Sequence, residues 1–255
     1  MINFLATVNV FSSALLIGVL TATSLSRAAD IIGAITLTGT PPAEIPYTQL
    51  MEDSTCGQMY DTAPTTHFYV VGKNGELGDV TVYLKDASGN DITGKSTGAS
   101  APAVVLDQKG CLYTPQILAF QTGQTLTIRN SDQCIHNVDV VSKVIGHTPE
   151  GKPITQNTQH NDGQMPGGAD LHYTFDKPEM FLKFQCDVHP WMFAWASVFD
   201  NPYFAISGAD GKFVIKNVPP GKYTLVAAHR KLGEQTQTVE VADKDVTENF
   251  TFAVK

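Results

Sequence analysis

Cys186, His189 and Met192 bring a thiolate, an imidazole and a thioether into the run Cys186-Asp187-Val188-His189-Pro190-Trp191-Met192. Sulfur ligands select copper, zinc or iron, and imidazole suits copper and zinc. Two histidines and one cysteine with a weak axial methionine make up the mononuclear copper arrangement used for electron transfer. The spacing C-x2-H-x2-M lets one tight turn aim three donors at a single ion. A further histidine is needed, and His136, in Asn130-Ser131-Asp132-Gln133-Cys134-Ile135-His136-Asn137, is the candidate. The plainer readings are that Cys186 is a buried apolar thiol, that Met192 fills core space and that His136 is an ordinary core or surface histidine. The coincidence of loop, strand parity and an upstream histidine favours the ligand set His136, Cys186, His189 and Met192. Asn137 is placed to hydrogen-bond the backbone of the cysteine loop and tie the two ligand segments together.

Such ligands need rigid supports. Residues 179 to 186 alternate as a strand, so Met180, Leu182, Phe184 and Cys186 share one face and Cys186 leaves on the apolar side. Strand character resumes over residues 193 to 199, which makes the donor loop a connection between strands. Residues 104 to 106, 116 to 120, 125 to 129 and 136 to 141 also read as strands, and the loop 130 to 135 leads into the one that begins with His136. A polar span rich in Gly and Pro, residues 142 to 170, shows no clear period and reads as a long functional or mobile loop.

Strands are also expected at residues 31 to 38 and 79 to 85, where Val80, Val82 and Leu84 share a face, while residues 43 to 73 are poorly patterned. The Gly/Ser/Asn-rich run 88 to 100 and Asn201-Pro202 mark boundaries. Short strands then recur from residue 203 to the end, punctuated by Ala209-Asp210-Gly211 and Pro219-Pro220-Gly221. This last piece is small for a core of its own and is expected to pack on the preceding domain or to borrow the strand 31 to 38. No long amphipathic helix is evident, so the chain reads as all-β. Four segments result: 1–28, 29–100, 101–200 and 201–255.

The 255 residues are 42% hydrophobic and 16% charged, a globular composition. A net charge of −8 argues against nucleic acid and suits encounter with a basic partner, or simply a soluble surface. Residues 4 to 23 form a long apolar run, and Ser26-Arg27-Ala28-Ala29 supplies small residues for cleavage after Ala28. Residues 1–28 therefore read as a secretory signal, with an uncleaved membrane anchor as the competitor. Both place residues 29–255 outside the cytosol, in a periplasm or secreted.

The stretch from Cys111 to His136, with Tyr113-Thr114-Pro115, Gly123-Gln124-Thr125-Leu126-Thr127-Ile128 and Asn130 to Asn137, resembles the first-ligand half of cupredoxins such as plastocyanin and amicyanin. CDVHPWM resembles their second half, with the short loop of amicyanin. The resemblance covers residues 101 to 200. It implies a Greek-key β-sandwich holding one type 1 copper ion through His136, Cys186, His189 and Met192, in a non-enzymatic carrier of single electrons. It also implies electron exit at the edge of His189 and a redox partner protein such as a basic cytochrome or a copper or quinone dehydrogenase. Residues 209 to 213 and 218 to 225 resemble the carboxypeptidase regulatory-like, or transthyretin-like, β-sandwich. The whole chain is similar to bacterial secreted proteins that join these modules, often labelled plastocyanin-like or methylamine-utilisation proteins.

Relatives commonly carry His where this chain has Gln116 and Asp139, so an extra metal site at those positions is not expected. Cys56 and Cys111 are expected to form a disulfide. Cys134 is expected as a free buried thiol, or more sharply as a redox-sensitive thiol beside the copper. Trp191 and Phe193 are expected to form a docking patch or to pack on the C-terminal module. His147, His160 and Met165 are scattered on a polar span, where a weak second metal site is the sharper reading and no role the plainer one, and His229 has no assigned role. The rival functions are a copper-binding or delivery protein and a metal-free structural or adhesive module.

Overall fold

The computed structural model describes residues 27–254, so residues 1–26 of the expected signal or anchor lie outside the described residues. Among the described residues, no helix is long and apolar enough to cross a membrane. The chain is nearly all β. Strands β1 (Ala29–Thr38) and β2 (Thr81–Asp86) are separated by a stretch holding a short helix, α1 (Thr48–Glu52). There follow β3 (Val104–Gln108), β4 (Tyr113–Thr114), β5 (Ile117–Gln121), β6 (Leu126–Asn130), β7 (His136–Val141), β8 (Val144–His147) and β9 (Pro153–Thr155). Next come β10 (Asn161–Gln164), β11 (Leu171–Tyr173), β12 (Glu179–Gln185) and β13 (Phe193–Phe199). The chain closes with β14 (Phe204–Ile206), β15 (Lys212–Val218), β16 (Gly221–His229), β17 (Gly233–Val241), β18 (Val246–Thr247) and β19 (Phe250–Ala253).

Two sandwiches result. In the larger, a sheet of order β10-β7-β12-β13-β5 faces one of order β11-β6-β3-β4. Side chains at every second position point inward, and Phe120, Ile128, Val140, Phe184 and Ala196 are among those that fill the core. β7 and β12 are antiparallel neighbours, with Phe184 opposite Val140 and Gln185 opposite Asp139. The start of β7 and the end of β12 therefore lie at the same end of the sandwich, which brings His136 level with the loop after residue 185.

The smaller sandwich is discontinuous in sequence. β1 pairs antiparallel with β15 and parallel with β18 and β19, and this sheet faces β14-β2-β16-β17. Ile31, Ile35 and Leu84 from the first part of the chain share one core with Ile215, Leu225 and Phe252 from the last. The closing fifty or so residues thus complete their core with two strands from far upstream, as their small size demands. Gly33 makes the closure possible, because a Cβ there would run into the carbonyl of Glu248 and the ring of Phe213.

The stretch 29–100 is shared between the sandwiches. Its strands join the smaller one, whereas Tyr47, Leu50 and Cys56 lie in the larger core, fastened by the Cys56–Cys111 disulfide. Where the sandwiches meet, Tyr83, Phe199 and Val226 form a separate apolar cluster, and the guanidinium of Arg230 lies 3.3 Å from the ring centroid of Trp195.

Two features depart from the sequence expectations. Strand parity put Met180 on the face of Leu182, but β12 is bulged between Glu179 and Leu182, with Phe181 at φ 54°. The extra residue turns Met180 and Phe181 toward the junction cluster and leaves Leu182, Phe184 and Cys186 facing inward. Residues 142–170 are not a structureless loop: β8 and β9 form a hairpin and β10 extends the sheet on β7. The buried carboxylate of Glu179 holds this excursion by accepting from the Ser142 hydroxyl at 2.7 Å, the Lys143 N–H at 2.6 Å and Asn157 Nδ2 at 3.0 Å. A polar anchor of that kind leaves no hydrophobic period to read.

The disulfide spans a sequence separation of 55 and ties the poorly patterned segment to the sandwich. On the chain-entropy model such a closure contributes about 4 kcal/mol. Chemical denaturation of the Cys56→Ala/Cys111→Ala double variant should therefore show a loss approaching that value, and an unchanged unfolding free energy would contradict the assignment.

Candidate metal centre

His136 opens β7, and the donor loop begins one residue beyond β12. The loop closes on itself: the Cys186 N–H donates to the Met192 carbonyl at 3.2 Å and the Met192 N–H to the His189 carbonyl at 2.9 Å. This turn directs Cys186, His189 and Met192 inward, and all three are buried, as is His136. Nδ1 of His136 lies 2.9 Å from Nδ1 of His189, and the Cys186 sulfur is 3.9 Å from that same nitrogen of His189. One donor from each of His136, Cys186 and His189 falls within 4.8 Å of the others, a spacing one ion can bridge. Met192 is fully enclosed in the same core.

Asn137 and Tyr113 fix the distance between the ligand strands. The Asn137 Oδ1 accepts from the Asp187 N–H at 2.7 Å and lies 3.3 Å from the Cys186 sulfur. Its Nδ2 donates to Asp187 Oδ2 at 3.0 Å, so one side chain grips the loop at two points. The buried Tyr113 hydroxyl sits 2.7 Å from the Asn137 carbonyl and 3.2 Å from the Gln185 carbonyl, spanning β7 and β12 beside their ligands. Trp191 lies 5.2 Å from His189, centroid to centroid, and donates its Nε1–H to the Cys111 carbonyl at 3.0 Å. It therefore packs toward the disulfide. Phe193 stacks on Phe68 at 5.9 Å and meets Tyr47 edge-on at 6.4 Å, so this ring packs on the 43–73 stretch.

One participant escaped the sequence reading. Asp132 Oδ2 accepts from Nε2 of His136 at 3.0 Å, which leaves Nδ1 free to face the loop. Cys134, expected as a free thiol, is free and half-buried, with its sulfur 3.4 Å from the same Nε2. The i, i+4 spacing of Asp132 and His136 was the only available signal, and it means little outside a helix. The other histidines stand apart: among the described residues, no candidate metal group includes His147, His160 or His229. His160 stacks on Tyr173 at 3.9 Å, and the exposed Met165 lies on the turn after β10. His229 is buried against Tyr69, and burial pushes its pKa down to about 4. Asp139 accepts from Gln185 Nε2 at 2.7 Å.

The electrostatics suit a thiolate. Burial alone would raise the Cys186 thiol, but the facing imidazoles of His136 and His189 and the N–H groups of Asn137 and His189 bring it from 9.0 down to about 6. Burial would likewise lower His136, yet Asp132 and the Cys186 sulfur hold it above the ordinary imidazole value. A thiol depressed on folding adds stability above its unfolded value, and that contribution is lost as pH falls through the folded value. In the metal-free protein, the thiolate ultraviolet absorbance of Cys186 should titrate with a midpoint near pH 6 and be missing in Cys186→Ser. The stability difference between the two proteins should grow as pH rises from 6 toward 9. A midpoint near 9 would contradict the polarised site.

No protein-family model matches the chain. No curated protein matches it either. Among solved structures, the chain is similar to a purple cupredoxin from Nitrosopumilus maritimus, at 21% identity over 38% of this chain and 99% of that one, with a TM-score of 0.28. It is similar to a point mutant of amicyanin in the Cu(I) state, at 20% identity over 47% of this chain and 98% of that one, TM-score 0.30. A copper-containing nitrite reductase from Thermus scotoductus matches at 19% identity over 44% of this chain and 26% of that one, TM-score 0.30. Likenesses at these scores carry no argument, and the case for a metal stands on the donors of the chain itself.

Proposed function

We propose that this chain is a secreted or periplasmic carrier of single electrons that binds one type 1 copper ion through His136, Cys186, His189 and Met192. The observation that carries the reading is the convergence of two Nδ1 atoms and a depressed-pKa thiol in one buried spot at the end of the larger sandwich. Copper held there supplies one-electron exchange between Cu(I) and Cu(II). The residues supply the rest: the thiolate and imidazoles give the soft and borderline donors copper takes, and Met192 offers a weak axial sulfur. Tyr113, Asn137 and the closed loop keep those donors in place, so that neither oxidation state requires them to move.

His189 is the natural port, since it lies at the loop apex between the exposed Val188 and Pro190. With a net charge of −8, a basic cytochrome, or the basic face of a copper or quinone dehydrogenase, is the kind of protein such a carrier meets. The smaller sandwich, read as transthyretin-like, serves as a support for the copper-bearing one. No substrate chemistry is assigned to the chain.

Addition of Cu(II) to the purified protein should give an intense blue thiolate-to-copper charge-transfer band, lost entirely in Cys186→Ser. No band in the unmutated protein would overturn the reading and leave a metal-free structural module. A band that disappears rapidly under a mild chelator would replace electron transfer by copper delivery.

A further inference from the structure

The edge of His136 turned away from His189 carries a second set of donors. Nε2 lies 3.0 Å from Asp132 Oδ2 and 3.4 Å from Cys134 Sγ. Asp132, Cys134 and His136 each offer one atom within 4.8 Å of the others. Bonds of 2.0 to 2.3 Å in a tetrahedron put donors about 3.3 to 3.7 Å apart, so modest adjustment brings all three onto one ion. Cys111 belongs to the same group, with its sulfur 3.7 Å from that of Cys134, but it is committed to the disulfide with Cys56. Three protein donors and one open position remain.

The set is already organised. The two Asp132 oxygens accept from the Gly110 N–H at 2.6 Å and the Cys111 N–H at 2.7 Å, which fixes the carboxylate beside the imidazole. Asn130 Nδ2 donates to the Cys134 carbonyl at 2.9 Å and holds that residue in the loop. Asp132 and His136 are buried, whereas Cys134 is partly exposed, so an ion can enter from its side.

We infer that Asp132, Cys134 and Nε2 of His136 form a second cation site, suited to a borderline divalent ion such as Zn(II), with the His136 imidazole shared between it and the copper site. One carboxylate, one imidazole and one thiolate are all donors zinc accepts, and three protein ligands with an open fourth position is a zinc arrangement. Magnesium and calcium require oxygen-rich shells and are excluded by the thiolate and imidazole. Binding forms bonds to Oδ2, Nε2 and Sγ, breaks the Asp132–His136 hydrogen bond and releases the proton of the Cys134 thiol, while the proton of a neutral His136 moves from Nε2 to Nδ1 or, where copper holds Nδ1, leaves to solvent. No electron changes hands. The site goes beyond the copper reading and stands without it, because Nε2 is available whether or not Nδ1 carries copper.

The test is zinc uptake from Zn(II) salt alone, counted by elemental analysis after gel filtration, in Cu(II)-treated protein and in Cys186→Ser. Cys134→Ala should lower uptake by one zinc per chain in both backgrounds while leaving the copper band of the otherwise unmutated protein intact, which also shows that the variant folds. Zinc uptake unchanged by Cys134→Ala, or no uptake by the parent protein, would overturn the inference. A missing copper band with the Cys134-dependent zinc still present would refute the copper reading alone.

Discussion

A thiolate buried at the end of a β-sandwich is tolerable only where positive charge and N–H groups face it, and that requirement organises this protein. Desolvation favours the neutral thiol. Two imidazoles and two backbone N–H groups outweigh it, to the point where the Cys186 pKa falls to about 6. The same balance holds from the other side, since the fully buried His136 is held above the ordinary imidazole value by the carboxylate on one ring nitrogen and the sulfur near the other. Each group is stable in the interior because the others are there. In the proposed reading, a metal cation would take the place of protons in that arrangement.

The architecture supplies the fixed distances. Antiparallel pairing of β7 with β12 sets His136 beside the cysteine loop. Tyr113 and Asn137 then tie the two segments by hydrogen bonds to main-chain carbonyls and N–H groups, which are less free to shift than side chains. The disulfide brings the segment around Tyr47 and Leu50 beside the loop, where Phe193 meets Tyr47 and Trp191 bonds to the Cys111 carbonyl. The smaller sandwich is closed by strands from both ends of the described chain and packs on the flank of the larger one, away from the ligand loop.

What the sequence displayed was whatever is local or periodic. The all-β class followed from alternation, and β7 and β13 have the limits expected for them because alternation and turn residues mark both ends. The three donors of the loop stand in plain view, since a short turn brings near neighbours together. Non-local convergence was harder to see. Asp132 sits in a loop without a period, and its place at Nε2 of His136 depends on the N–H groups of Gly110 and Cys111, which hold its carboxylate from another part of the chain. The bulge at Phe181 hides the true parity of Met180, because an inserted residue shifts every side chain before it to the other face. The strands of the 142–170 excursion are held by polar contacts to Glu179, and hydropathy patterns carry no trace of such contacts.

The central claim is that the donors are held in one arrangement that fits both oxidation states of copper. X-ray absorption at the copper edge on the loaded protein, before and after reduction, addresses it directly. The expected result is a shell of two imidazole nitrogens and one short thiolate sulfur in both states, with only small changes in bond length. A shell without sulfur, or the loss of an imidazole on reduction, would contradict the claim.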